Sequence, residues 1–498
     1  MIASSFSEAD PFDLPGIRLG VVRGISYGVF GRPDEFVPQA RALGAGLVRA
    51  YLYWGQIEPE PGRYVWNTVD ALLDQLDGDE EVWITLCSSS LWATRESTDF
   101  LPPSPAHDLA AYGEFVRRTV RHCAGRVRYW QCDNEPSNTQ LLWAGTAAEY
   151  VTQLKTMYGA VKDADPTAAV VLGGCGYDVL SSEIGSEPRQ FFDHLVGAGR
   201  DYFDLFDVHL YGDVTAIPAY LDTARELMRA HGYLKPVVVG EYAGPVPFEF
   251  PEVGPVLQQT LAAAFAEAPA TQSKEELVER ARQETPERRA MGALYDRMPD
   301  LPPTLQMFLE GCPAEVEALR DRINCRQVVM RNLLALAGGV RRTVYWNLAP
   351  EVPEPVDPRQ MMHLMFGKLP LLAYEDRSLT RRRPAADAFA LLVDELAGVE
   401  QVHRVPIVER PTVYAFEVQR ADRPPLLVLW DHRDQVAGES EPAVRVYVPW
   451  GAPAATSVDV FGEAHATSVR DGELSVDVSI TPLFVTAEHQ RVPAASVG

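Results

Sequence analysis

The chain has 498 residues, 46% hydrophobic and 23% charged, with a formal net charge of −24. That length exceeds one ordinary core and suits one large domain plus a smaller one in a globular protein. The negative charge argues against nucleic acid and anionic membrane surfaces as partners, and arginine carries nearly all of the positive charge. The N-terminal "MIASSFSEADPFDLPG" lacks a basic region followed by an apolar run, and nothing reads as a membrane span. The six cysteines form no CxxC pair, so free thiols are expected. A cytoplasmic protein of unspecified oligomeric state is the default, although a chain stripped of its leader would read the same.

Short apolar runs alternate with helical patterns. "GIRLGVV" (16–22), "GLVRAYLYW" (46–54), "VWITLCSS" (82–89) and "RVRYWQC" (126–132) read as strands. So do "AAVVLGG" (168–174), "FDLFDVHLY" (203–211), "PVVVGE" (236–241) and "RRTVYWN" (341–347). Between them, Leu109, Tyr112, Val116 and Val120 recur at helical spacing. Leu154, Met157, Tyr158 and Val161 do the same, as do Tyr220, Leu221, Ala224, Leu227 and Met228. Eight strands alternating with helices predict a parallel sheet closed as a (β/α)8 TIM barrel, in the α/β class. A doubly wound open sheet is the rival, but no glycine-rich phosphate loop follows the first strand.

The eighth strand comes late. The excess, about 247–320, carries helical patterns such as "VLQQTLAAAFAEA" and "AEVEALRDRI" and reads as a helical insertion after strand seven. "RRPAADAFALLVDEL" (382–396) reads as the last barrel helix. The expected barrel domain is 1–400. From 401 to 498 short alternating strands predict an antiparallel β-sandwich with a frayed tail, "VPAASVG".

In such a barrel the C-terminal strand ends converge on one face. Arg49 and Trp54 fall there on the second strand, Asn134 and Glu135 on the fourth, and His209 and Tyr211 on the sixth. Glu241 and Tyr242 end the seventh, and Trp346 and Asn347 the eighth. Two glutamates at opposed strand ends suit glycosidic cleavage, which needs a proton donor and a second carboxylate across the ring. An ionised partner needs support, which Arg49 and Tyr211 can supply, and an amide beside the acid can hold a sugar hydroxyl.

These motifs resemble the retaining (β/α)8 glycoside hydrolases of clan GH-A, most like families 39 and 5. The resemblance is carried by "W..CDNEP", "GEY", "DVHLYG", "VYWN" and "LVRAYLYWGQIEPEPGRYVWNTVDALL", over about 17 to 397. It implies a glycosidase acting on an oligosaccharide or glycoside, without cofactor or metal. Glu135 would be the acid/base, Glu241 the nucleophile and Asn134 the 2-hydroxyl partner. Arg49 and Tyr211 would bond the nucleophile. Trp346 would floor the subsite of the cleaved sugar and precede a cis peptide bond.

His209 reads equally as a hydrogen-bonded core residue or a sugar ligand, and Trp54 favours neither rim packing nor a platform. Cys87, Cys132 and Cys175 read as barrel filling rather than a metal cluster. A non-catalytic carbohydrate-binding barrel or a transglycosylase using the same residues are the alternatives. An aldolase or lyase would need a Schiff-base lysine or a metal cage, and none of the five lysines falls at a strand end. The insertion is expected to wall the cleft and favour short glycans.

Overall fold

The computed structural model describes residues 14–265, 273–280, 282–354 and 356–488. Most of the N-terminal stretch, the end of "VLQQTLAAAFAEA" and the tail "VPAASVG" lie outside the described residues.

The barrel strands are β1 (Arg18–Val22), β2 (Leu47–Tyr53), β3 (Glu81–Cys87) and β4 (Tyr129–Cys132). β5 (Ala169–Val171), β6 (Phe206–Leu210), β7 (Val237–Tyr242) and β8 (Arg342–Tyr345) complete it. They form one parallel sheet in the order β5-β4-β3-β2-β1-β8-β7-β6. Single bridges Val171–Leu205 and Cys175–Val208 close β5 onto β6. Each strand is covered on both faces, which is why β2 is buried along its whole length and reads as an apolar run.

The helices follow their sequence periods. Helix Leu109–Cys123 starts where the Asp108 carboxylate accepts the Ala110 N–H at 2.7 Å, and it buries Tyr112, Val116 and Val120. Helix Ala147–Ala164 opens with a capping box of Thr146 and Glu149 and buries Leu154, Met157 and Val161. Both caps satisfy N–H groups that a helix start leaves unpaired.

Between β7 and β8 run helices Gly254–Phe265, Lys274–Arg280, Pro286–Asp296 and Pro303–Gln306, then one long helix, Ala314–Ala337. "AEVEALRDRI" is the first half of that long helix, whose second half packs on the barrel. The shorter helices share a small core of their own, including Leu257, Met291, Leu305 and Phe308, with Met361 and Leu364 from the segment after β8. Helix Pro384–Glu395 buries Ala385, Ala388, Phe389 and Leu392 and completes the barrel.

The sandwich starts at Val399. Its five-stranded antiparallel sheet has the order Val399–Pro406, Val413–Arg420, Leu426–Asp431, Leu483–Glu488, Ala454–Asp459. A three-stranded sheet (Val444–Pro449, Glu473–Val478, Thr467–Arg470) faces it. Alternation along Leu426–Trp430 divides the two sides. Leu426, Val428 and Trp430 join the barrel's core, while Leu427 and Leu429 join the inter-sheet core. Glu439 ties the sandwich to the long helix, accepting from Arg322 at 2.6 and 2.8 Å and from Arg326 at 2.9 Å. Among the described residues no helix is long and apolar enough to cross a membrane.

Candidate active site

The site is built at the C-terminal mouth of the barrel, beginning with the run Asp133-Asn134-Glu135. Asp133 and Glu135 both adopt positive φ, 49° and 37°, so the chain leaves β4 through two left-handed steps. For non-glycine residues such steps cost on the order of 1–3 kcal/mol each and persist only where neighbours enforce them. Asp133 is the anchor. Its buried carboxylate accepts from Ser88 N at 2.7 Å, Ser88 Oγ at 2.9 Å and Gln153 Nε2 at 3.2 Å. Burial pushes Asp133 up to about 7, against the pull of the Ser88 and Gln153 donors.

Asn134 then points inward. Its Oδ1 accepts from Arg49 Nη2 at 2.9 Å and Tyr51 Oη at 3.1 Å. This orients the amide so that Nδ2 is the remaining donor.

Arg49 is fully buried and hydrogen-bonded along its whole guanidinium. Nη1 donates to Glu241 Oε1 at 3.2 Å and to the Gly240 carbonyl at 2.7 Å. Nη2 also donates to Gln131 Oε1 at 2.6 Å, and Nε to Thr85 Oγ1 at 3.1 Å. Burial disfavours the cation, but Tyr51, Glu241 and Asp207 around it more than compensate and hold it above its ordinary value. Tyr51 donates to Glu241 Oε1 at 2.5 Å, and Tyr211 to Glu241 Oε2 at 2.9 Å. Burial drives both phenols well above the ordinary tyrosine value, so they remain donors.

Glu241 reaches this cage through a bulge. Val208 pairs with Val239 but His209 pairs with Glu241, so Gly240 is an extra residue in β7. A bulge re-aims the side chain that follows it.

His209 lies between the two glutamates. Its Nδ1 is 2.6 Å from Glu135 Oε1 and 3.6 Å from Glu241 Oε2, and its Nε2 is 3.2 Å from Asp207 Oδ2. The ring is fully buried and takes the space a side chain at 174 would fill, since a Cβ there would meet Nε2. Burial alone would lower the His209 value. The charges of Glu241, Asp207 and Glu135 overcome this and raise it to about 10. That shift favours the imidazolium, which can donate from both nitrogens.

A linkage consequence follows. A histidine raised from 6.5 to about 10 contributes stability that is full below pH 6.5 and lost as pH rises through 10. Urea unfolding should show this loss between pH 7 and 9.5, at up to about 1.4 kcal/mol per pH unit. His209→Asn should flatten that part of the slope. Equal slopes in the two proteins would contradict the assigned charge.

Trp346 sits beside the cage, with its ring edge-on to Tyr51 at 6.4 Å and to Phe366 at 6.2 Å. Its peptide bond to Asn347 is cis. Its indole Nε1 and Asn347 Oδ1 are buried without a hydrogen-bond partner among the described residues. Tyr211 also meets Phe366, at 5.6 Å.

The structure thus brings Arg49, Asn134, Glu135, His209, Tyr211, Glu241 and Trp346 into one cluster. Two other strand-end aromatics lie outside it. Trp54 stacks on Phe115 at 5.1 Å and donates to Glu58, and Tyr242 Oη accepts from Asn332 on the long helix. Cys87, Cys132 and Cys175 are buried free thiols.

Tyr51, Gln131, Asp207 and Thr85 were not anticipated, although Tyr51 and Asp207 follow the two-residue alternation of a barrel strand from a recognised neighbour. Tyr51 is two positions from Arg49, and Asp207 two from His209. Phe366, from the segment after β8, had no such signal.

A carboxylate oxygen of Glu135, one of Glu241 and a nitrogen of His209 lie within 4.8 Å of one another, the span of a metal site. Glu241 already accepts from Arg49, Tyr51 and Tyr211, so a metal ion would have to compete there with the Arg49 guanidinium and two phenols. What the arrangement offers is one carboxylate in a cage of donors and a second, with 19% of its side chain exposed, facing it at the mouth.

No protein-family model and no curated protein matches the chain by sequence. Solved structures do match in fold. A family 39 glycoside hydrolase from Bacteroides cellulosilyticus is 14% identical with a TM-score of 0.59, over 96% of this chain and 81% of that one. A monomeric β-xylosidase from Caulobacter crescentus is 13% identical with a TM-score of 0.56, over 95% and 97%. A GH30 endoxylanase from Clostridium papyrosolvens is 12% identical with a TM-score of 0.53, over 95% and 98%.

Proposed function

We propose that the protein is a retaining glycoside hydrolase in which Glu241 is the nucleophile and Glu135 the acid/base. The observation that carries this reading is the pair of carboxylates with oxygens within 4.8 Å across the barrel mouth. Retaining enzymes hold their carboxyl groups ~5–5.5 Å apart, whereas inverting ones need ~6.5–9.5 Å to admit a water.

The environments divide the roles. Glu241 is held as an anion by Arg49, Tyr51 and Tyr211 and aimed at the anomeric carbon. Glu135 accepts from His209 at Oε1, which leaves Oε2 to carry the proton for the leaving oxygen. Attack by Glu241 forms the glycosyl ester as Glu135 gives up its proton, so one negative charge passes from Glu241 to Glu135. Water then attacks the ester, Glu135 takes its proton back, and Glu241 is released. Asn134 Nδ2 is the donor available to the sugar 2-hydroxyl, and Trp346 forms a wall of the subsite.

Three contacts support the insertion as a wall of this cleft. The Lys274 backbone N–H meets Asp99 of the β3 loop at 2.9 Å. The Met361 N–H meets Glu287 at 2.8 Å. The helix Met361–Phe366, anchored in the insertion's core, carries Phe366 onto Trp346 and Tyr211. A short glycan is the substrate class that suits such a mouth. The neighbours' printed names put xylosides first in the test.

Aryl β-xyloside, glucoside, galactoside, fucoside, arabinoside and glucuronide should be assayed beside xylan and other polysaccharides. Hydrolysis of at least one aryl glycoside is expected, with the first-formed sugar retaining configuration by NMR. An inverted product would overturn the mechanism. Binding without turnover across the panel would overturn the enzymatic reading.

A further inference from the structure

We propose that Asp207 is a positioning residue for this reaction: it holds the bulge that presents Glu241 and fixes His209 as the bridging group between the two glutamates. The role in turnover rests on the glycosidase reading, whereas the contacts do not.

Asp207 is fully buried, and among the described residues its carboxylate's partners Gly240, Gln131 and His209 all belong to the site's framework. Its Oδ1 accepts the Gly240 N–H at 2.5 Å. Gly240 is the extra residue of the β7 bulge, so its N–H falls outside the regular ladder and needs an acceptor. The carboxylate also fixes the residue type there, because a Cβ at 240 would lie 2.4–2.5 Å from both Asp207 oxygens. Only glycine lets the acid approach the residue before the nucleophile. Asp207 Oδ2 accepts from Gln131 Nε2 at 2.7 Å, and Gln131 in turn accepts from Arg49. The same oxygen accepts from His209 Nε2 at 3.2 Å. One carboxylate thereby sets β7 beside Glu241, β4 three residues before Asn134, and the ring of His209.

Through that ring Asp207 acts on the chemistry. His209 Nδ1 is within reach of both glutamates, the two groups between which negative charge moves. An imidazolium so placed stabilises the charge in either position, and it donates to Glu135 without withdrawing Oε2 from the leaving group. The groups facing His209 are Glu135 from β4, Glu241 from β7, Asp207 from its own strand, and Asp178 and Cys175 after β5. Arg49 and Tyr211 stand behind Glu241. During turnover Glu241 loses and regains its negative charge as it forms and releases the ester, while Glu135 gives up and regains a proton. Asp207 does neither, so it is the constant partner that keeps His209 charged.

The test is Asp207→Asn, nearly the same shape, followed by 15N NMR of the histidine rings between pH 5.5 and 10. The His209 signal is identified by its loss in His209→Asn. In the wild type His209 should stay an imidazolium past pH 9, and in Asp207→Asn it should titrate at least about one unit lower. With an active substrate, kcat should fall on the order of 100-fold while KM changes little. The alkaline limb of kcat/KM, which reports the proton on Glu135 beside His209, should be displaced as well. A merely structural residue would not move that limb. If Asp207→Asn does not fold, Gly240→Ala displaces the same carboxylate and should lower the titration likewise. An unchanged titration in the variant that folds overturns the assignment of Asp207, as does a loss confined to KM. If the wild type turns over no glycoside, the glycosidase reading fails, and the titration still decides whether Asp207 sets the charge of His209.

Discussion

Replacing Glu241 with alanine should lower turnover of every substrate by on the order of 10⁴-fold or more, the scale on which removing a nucleophile is felt. The cause is specific to this cage. Arg49 Nη1, Tyr51 Oη and Tyr211 Oη would all face the space the carboxylate left. Arg49 keeps its bonds to Gly240, Gln131, Asn134 and Thr85, so the variant is expected to fold despite losing its ion-pair partner. Three donors around an empty anion position invite a small anion. Azide should enter there, attack the anomeric carbon from the nucleophile's side and give a glycosyl azide of inverted configuration. Mass spectrometry and NMR of the product read this directly. Full activity in Glu241→Ala would end the assignment of the nucleophile.

Glu135→Ala should behave differently, because its loss depends on the leaving group. A poor leaving group needs the proton, and its glycosides should lose on the order of 10²–10⁴-fold. A nitrophenolate needs little help, so its first step should survive while the second, which needs Glu135 as base, slows. The glycosyl-enzyme on Glu241 should then accumulate and be visible by intact-protein mass spectrometry. Azide, needing no deprotonation, should relieve the second step and give a product of retained configuration. Equal losses on activated and unactivated substrates would contradict the acid/base role.

The fold was legible where burial on both faces made strands uniformly apolar and where caps and periods marked helices, as at Thr146 and Leu154. It was less legible in the second half of Ala314–Ala337. There Arg326, Arg331, Asn324 and Asn332 look like surface residues but are buried. Arg331 and Asn332 are satisfied by partners remote in sequence: Arg331 by the carbonyls of Leu210 and Gly212 and by Glu249, Asn332 by Tyr242. Composition cannot announce such partners. The edge strands Val399–Pro406 and Thr467–Arg470 were missed because their outward residues are polar or charged.

The site divides in the same way. Glu135 and Glu241 could be named because they lie at strand ends, and Arg49 through its motif, although it sits inside β2. Asp207 shares the inward alternation of His209, but its tie to a bulge one strand away is something linear alternation does not reveal.

The sheet shared by two cores bears on how the chain can be divided. Leu426, Val428 and Trp430 face the barrel while Leu427 and Leu429 face the other sheet, so one layer of backbone serves both units. Cutting near residue 400 would leave the barrel with a raw apolar face and the sandwich with half of its central sheet turned to water. The C-terminal strands are therefore not an appendage carried behind an enzyme. Through Leu426, Val428 and Trp430 they wall part of the barrel's core from outside.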